Sequence, residues 1–271
     1  MFCFSLITYL YPMYKVYVIL LLLSAHSLVA QKRGYTTANG HSHNDYEKPN
    51  PFFEAYKYQF GSIEADIFYL KDSKELFVAH TSAELNSKRR TLDSLYLDPL
   101  ANCIRKNKGS VYPDSTRMLQ LLVDIKTEAV PTLNRLIEVL REYPALINTS
   151  SLRIVISGNR PSPDSFYTYP SFIQFDGVIG TTYTNEALKR IPLLSASFRQ
   201  FSKWNGIGII PANERTQLSK LIREAHHLGK PVRFWAAPDT ADAWKELMNL
   251  NTDYINTDKV KELSDFFKSI D

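Results

Sequence analysis

From residue 35 onward, short runs of β-branched or apolar residues alternate with stretches whose apolar positions recur at helical spacing. The runs predict strands over 36–41, 62–68, 119–125, 153–157, 177–181, 193–197, 232–236 and 254–256. Helices are expected between them over 52–59, 92–106, 130–141, 185–190, 213–228, 241–250 and 259–269. Strands that alternate with helices pair in parallel through helical crossovers, and eight such units close a barrel. The fold expected is therefore an α/β (β/α)8 TIM barrel. Residues 206–210, Gly-Ile-Gly-Ile-Ile, compete with 193–197 for the sixth strand. No internal repeat or linker-like tract divides residues 31–271, which read as a single domain.

Two acids interrupt the apolar pattern of the second strand. In Gly61-Ser62-Ile63-Glu64-Ala65-Asp66-Ile67, Glu64 and Asp66 occupy alternate positions and so share one face. Carboxylates crowded on an otherwise hydrophobic strand repel unless a cation lies between them. One divalent cation with oxygen ligands, Mg²⁺ or Ca²⁺, answers that need better than Zn²⁺, which favours His and Cys. His41, Glu64, Asp66, Asp124, Lys126 and Trp235 all fall at or near the ends of expected strands, where barrel enzymes carry their active sites. His80 ends the short apolar run Leu76-Phe77-Val78-Ala79.

Composition narrows the setting. Residues 1–30 carry one charge, Lys15, then an apolar run and a small-residue tail ending Val29-Ala30-Gln31, as in a secretory signal peptide. Export to a periplasm or to the outside is expected, with an uncleaved membrane anchor as the competing reading. Cleavage would remove Cys3 and leave Cys103 alone, so no internal disulfide is expected. The formal net charge is +4, and the one basic cluster is Lys88-Arg89-Arg90, which sets nucleic-acid binding aside.

The spacing of His41, Glu64-Ala65-Asp66, His80 and Asp124-Ile125-Lys126 resembles the superfamily of glycerophosphodiester phosphodiesterases and phosphatidylinositol-specific phospholipases C. Val232-Arg233-Phe234-Trp235 and Asp253-Tyr254-Ile255-Asn256-Thr257-Asp258 resemble its last two strands. His41-Ser42-His43 replaces the His-Arg-Gly of bacterial members, and Gly40-His41-Ser42-His43-Asn44 is similar to the sphingomyelinase D branch. The string His-Ser-His-Asn-Asp-Tyr and the segment Phe234-Trp235-Ala236-Ala237-Pro238-Asp239 resemble the altered-inheritance-of-mitochondria branch.

Phosphodiester cleavage needs its non-bridging oxygens neutralised, a nucleophile deprotonated and a leaving oxygen protonated. Glu64, Asp66 and Asp124 would hold the metal ion, and Lys126 a phosphate oxygen. Two imidazoles would divide acid and base work. His41 and His80 are read as that pair, with His43 and Asn44 as substrate contacts; His43 shares a face with His41 if the segment stays extended, and so is the competing choice for the acid/base role. Trp235 lines the substrate mouth or fills barrel core. Asp124 and Lys126 have a structural ion pair as their alternative role. Asp45 and Tyr46 are placed to orient the first histidines, and Asp258 to cap the final helix. Arg89 and Arg90 contact an anionic group or form a solvated run.

The activity implied is metal-dependent hydrolysis of a glycerophosphodiester or phospholipid-type substrate. A lyase releasing a cyclic phosphate and a catalytically silent phospho-ligand-binding barrel are the alternatives. Transient contact with a membrane surface follows if the diester is a lipid, and no protein partner is inferable.

Overall fold

Among the described residues, nine strands form one sheet, in the order β8-β7-β6-β5-β4-β2-β1-β9, with β3 pairing β2 off that path. In chain order they are β1 (Gly40–Ser42), β2 (Ser62–Leu70), β3 (Glu75–Val78), β4 (Leu119–Ile125), β5 (Leu152–Gly158), β6 (Ile173–Val178), β7 (Leu193–Ser197), β8 (Val232–Trp235) and β9 (Ile255–Thr257). Every pairing along the path is parallel, while β3 turns back antiparallel on β2. This computed structural model describes residues 34–86 and 90–270. The expected signal segment and Arg89 lie outside the described residues. The end strands β8 and β9 meet in an isolated parallel bridge, Arg233–Tyr254, so the arrangement is barrel-like without a continuous closing ladder.

Residue parity decides what faces where. Ile63, Ala65 and Ile67 of β2, Leu121, Val123 and Ile125 of β4, and Ile154 and Ile156 of β5 join the large core cluster with residues of the surrounding helices. The alternate residues point the other way. Leu122, Val155 and Leu193 make a second, small apolar cluster, with Tyr254 packed against it. The same inner face carries Glu64, Asp66, Asp124, Asp176 and Arg233, with Glu64 in register with Leu122 and the Asp66–Asp124 pair one step further along. That step leads towards the C-terminal strand ends, where loops can build a site.

The strand expected over 177–181, fifth in the expected order, is β6 and spans Ile173–Val178, with Ile173 and Phe175 buried. The chain turns immediately afterwards: Thr181 N–H donates to the Val178 carbonyl at 3.2 Å, and Gly180 sits at φ +82°. Residues 206–210 are not a strand. Positive φ at Gly206 and Gly208 folds them into a loop that leaves Ile207 and Ile209 exposed. The next strand after β6 is Leu193–Ser197, whose Leu194 and Ala196 are buried. The expected helix over 92–106 opens with a wide turn over Asp93–Leu97 before the α-helix Asp98–Lys106. Among the described residues, no helix is long and apolar enough to cross a membrane.

Candidate active site

β2 and β4 run in register, with Asp66 opposite Asp124, so the three acids converge. One carboxylate oxygen from each of Glu64, Asp66 and Asp124 lies within 4.8 Å of the others. Lys126 leans across the group, its Nζ 2.8 Å from Asp66 Oδ2 and 2.9 Å from Asp124 Oδ1. Burial would lower this ammonium, but Asp124 and Asp66 outweigh it and raise it. Burial and the charge of Glu64 push the Asp66 carboxyl up to about 6, against the pull of Lys126. Asp66 Oδ1 is buried with no hydrogen-bond partner among the described residues.

Glu64 is held differently. Arg233 Nη1 donates to Glu64 Oε2 at 2.8 Å, and its Nη2 lies 3.5 Å from Asp176 Oδ2. Burial would raise the Glu64 carboxyl, yet the His41 bond and the guanidinium hold it well below the usual carboxylate range. Arg233 and Asp176 did not emerge from the sequence as site residues. The available signal was a charged residue at the inner parity of two otherwise apolar strands.

His41 is corrected by its depth. Its ring is fully buried, with Nδ1 2.7 Å from Ser62 Oγ and Nε2 2.8 Å from Glu64 Oε2 and 2.6 Å from Arg233 Nη1. Burial and Arg233 push it down to about 4. His41 and His43 do share a face, but one layer apart: His41 is sealed beneath Glu64, and His43 emerges past the end of β1. The imidazole that reaches the mouth is therefore His43, not His41.

A cavity of about 410 Å³ opens above the acids, lined by His43, Asn44, His80, Lys126 and Trp235 together with Glu64 and Asp124. His43 Nδ1 pairs with Asp258 Oδ1 at 2.9 Å. Burial would lower the ring, but the Asp258 bond and the charge of Glu64 raise it. Asp258 therefore serves His43 and does not cap the final helix, whose first turn has no side-chain cap. His80 stands across the cavity, its Nδ1 3.1 Å from Tyr46 Oη. Tyr46 donates its hydroxyl to Asp66 Oδ2 at 2.7 Å and so ties His80 to the acid group. Asn44 adopts a left-handed backbone and its Oδ1 lies 3.1 Å from the Tyr46 hydroxyl. Trp235 is 42 % exposed at the rim, which makes it a mouth residue and not core. Asp45, by contrast, orients no histidine: buried, it accepts from Ser42, Tyr96 and the Phe52 N–H.

The donor set fits a hard divalent ion. Four carboxylates (Glu64, Asp66, Asp124 and Asp176) share Lys126 and Arg233, so negative charge is left over, and Asp66 Oδ1 is an orphaned acceptor facing that excess.

Comparison with known proteins agrees with this geometry. Residues 30–154 match the model of the AIM6-like phosphodiesterase domain, and residues 231–261 match that of the glycerophosphoryl diester phosphodiesterase family. The fold resembles a glycerophosphodiester phosphodiesterase from Parabacteroides distasonis (TM-score 0.52, 15 % identity, 88 % of this chain and 95 % of that one). It also resembles a putative glycerophosphoryl diester phosphodiesterase from Agrobacterium tumefaciens (TM-score 0.53, 13 % identity, 85 % and 96 %). Together these matches support placing the chain with the superfamily of glycerophosphodiester phosphodiesterases and phospholipase C-like barrels, near the altered-inheritance-of-mitochondria branch. The chain is 27 % identical to altered inheritance of mitochondria protein 6 of Kluyveromyces lactis over 84 % of this chain and 72 % of that protein. The homologue in Arthroderma benhamiae is 24 % identical over 87 % and 85 %.

Proposed function

We propose that this protein is a metal-dependent phosphoric diester hydrolase acting on a glycerol- or phospholipid-type diester, with His43 and His80 as its acid/base pair. The observation that carries the reading is the placement of two accessible imidazoles around one three-carboxylate group in a single cavity. Glu64, Asp66 and Asp124 would hold Mg²⁺ or Ca²⁺, which when bound supplies charge to neutralise phosphoryl oxygens. His43 is poised by Asp258: with Nδ1–H donating to that carboxylate, Nε2 keeps its lone pair to accept a proton. His80 is oriented by the Tyr46 hydroxyl and offers the complementary proton transfer. Lys126, two residues past Asp124 on the same face, reaches the cavity and can hold a phosphate oxygen once a cation replaces it between the acids. Trp235 and Asn44 shape the rim against which the alcohol arm rests. His41 positions Glu64 from below.

Turnover of bis(4-nitrophenyl) phosphate with added Mg²⁺ or Ca²⁺, and its loss with chelator, tests the activity. His43→Ala and His80→Ala should each lose roughly 10²–10⁴-fold in rate while remaining folded. If neither slows cleavage, the reading fails. His41→Ala should lower thermal stability and weaken metal binding through Glu64, and wild-type metal affinity in that variant would remove the positioning role assigned to it. Export belongs to the same proposal and rests on the pattern of residues 1–30. The native protein should begin near Gln31 on N-terminal sequencing, and recovery of an intact N-terminus in membranes would favour the anchor instead.

A further inference from the structure

Beside the central cavity lies a second one of about 650 Å³, and the two share Gly158, Arg160, Asp176 and Val178 as a common wall. The acid in that wall, Asp176, is already engaged: Ser195 donates to it at 2.7 Å and the Arg233 guanidinium lies 3.5 Å away. The cation is less committed. Among the described residues, Arg160 donates to the backbone carbonyl of Asp176, whereas Lys126 is held between two carboxylates and Arg233 among Glu64, His41 and Asp176. A guanidinium has five donors in a rigid fork, so a single carbonyl leaves most of them for a ligand.

The loop that delivers Arg160 is built firmly. Gly158 turns it at φ +66°, where a Cβ would collide with the Asp124 carboxylate and the Ile125 carbonyl. Asn159 Nδ2 then donates to the Thr127 carbonyl at 2.9 Å and the Lys126 carbonyl at 3.3 Å. Further donors line the side cavity. Tyr183 accepts from the Val178 N–H at 2.7 Å, which leaves its own O–H proton to donate, and the hydroxyls of Ser162 and Thr181 stand in the same wall.

Register supplies the distance. Asp124 is opposite Ser157, and Ile156 is opposite Phe175, so Asp124, Ser157 and Asp176 lie at one level across β4, β5 and β6. Two strand spacings of about 4.8 Å put the Asp176 carbonyl, where Arg160 is anchored, roughly 10 Å from the Asp124 backbone. Arg160 faces both cavities, so a phosphate carried into the side cavity meets it about that far from the acid group.

We propose that the side cavity is a subsite for a second phosphate group, carried on one arm of the substrate about a nanometre from the scissile phosphorus and gripped by Arg160. The substrate class is then a diester whose alcohol arm is itself phosphorylated. This rests on the phosphodiesterase reading of the acid group, and the test separates the two. Calorimetry on the full chain with Mg²⁺ compares pentanediyl bisphosphate with pentyl phosphate, ligands matched except for the second phosphate. Wild type should bind the bisphosphate roughly tenfold or more tightly, the effect of one charge-assisted bidentate contact. Arg160→Gln should collapse that ratio to near one, and Arg160→Lys should restore part of it. Equal binding by wild type, or a ratio that survives in Arg160→Gln, overturns the subsite. Wild type that cleaves bis(4-nitrophenyl) phosphate but binds both ligands alike loses the subsite and keeps the hydrolase reading. The reverse result, no cleavage with an Arg160-dependent ratio, keeps the subsite and loses the hydrolase reading.

Discussion

Burial, Glu64 and Asp124 all disfavour the charge of Asp66, and Lys126 favours it. A carboxyl raised from 3.8 to about 6 binds a proton more tightly in the folded state than in the unfolded state. Its contribution to stability is then fully present below pH 3.8 and is lost as pH rises through 6. In chelator, Asp66→Asn should therefore resemble wild type near pH 4 and gain melting temperature relative to it up to about pH 6, then hold that advantage. Melting curves of the two proteins across that range check the sign, and a gain that shrinks with pH would contradict it. The same substitution should remove the metal response, since it takes away a ligand. At this scale the sequence was legible where chemistry is unusual. Glu64 and Asp66 declared themselves by charge in an apolar strand, and Asp124 and Lys126 by their spacing. His41 and His43 share residue type and parity, and only depth in the barrel separates them, a quantity that a one-dimensional pattern does not carry.

The strand ends set that depth, and β5 gives the sharpest case at the scale of elements. It closes on Gly158, whose left-handed φ no L side chain adopts cheaply and whose missing Cβ leaves room for the Asp124 carboxylate on the neighbouring strand. Gly158→Ala should cost about 1–2 kcal/mol from the backbone alone, with a further loss from displacing Asp124. The two losses are separable: denaturant titration reads the first, and metal affinity by calorimetry the second. An alanine variant with wild-type metal affinity would show that Asp124 is not seated by this turn. Elements whose period was unambiguous, such as β2, β4 and the helix Ala129–Arg141, lie where their patterns put them. The shifted strand expected over 177–181 and the 206–210 loop share one cause: glycines within apolar runs look like strand from composition, while positive φ at Gly180, Gly206 and Gly208 turns the chain. Arg233 and Asp176 escaped notice for a related reason. Their partners come from β2 and β7 as well as from each other, and such pairings become visible only once the sheet is assembled.

For the molecule as a whole, the alternation of strand and helix was enough to give the barrel-like architecture, because parallel strands with helical crossovers leave few other ways to bury both faces of the sheet. The inner face is where folding and function compete. An apolar cluster of Leu122, Val155 and Leu193 stabilises it, and the same face concentrates four acids against two cations in a buried setting. A fold with residual negative charge at its centre should gain stability from any cation that the native state binds and the unfolded chain does not. At a concentration one hundred times its dissociation constant, such an ion adds about 2.7 kcal/mol. For a domain of this size that corresponds to a rise of roughly 5–10 °C in melting temperature. Thermal unfolding in Mg²⁺ or Ca²⁺ against chelator should show that rise in wild type. It should vanish in Asp66→Asn and Asp124→Asn but persist in His43→Ala and His80→Ala, which leave the acids intact. A wild-type melting temperature indifferent to both ions would mean that Lys126 and Arg233 alone satisfy the acid group, and the metal would have to be removed from the proposed mechanism.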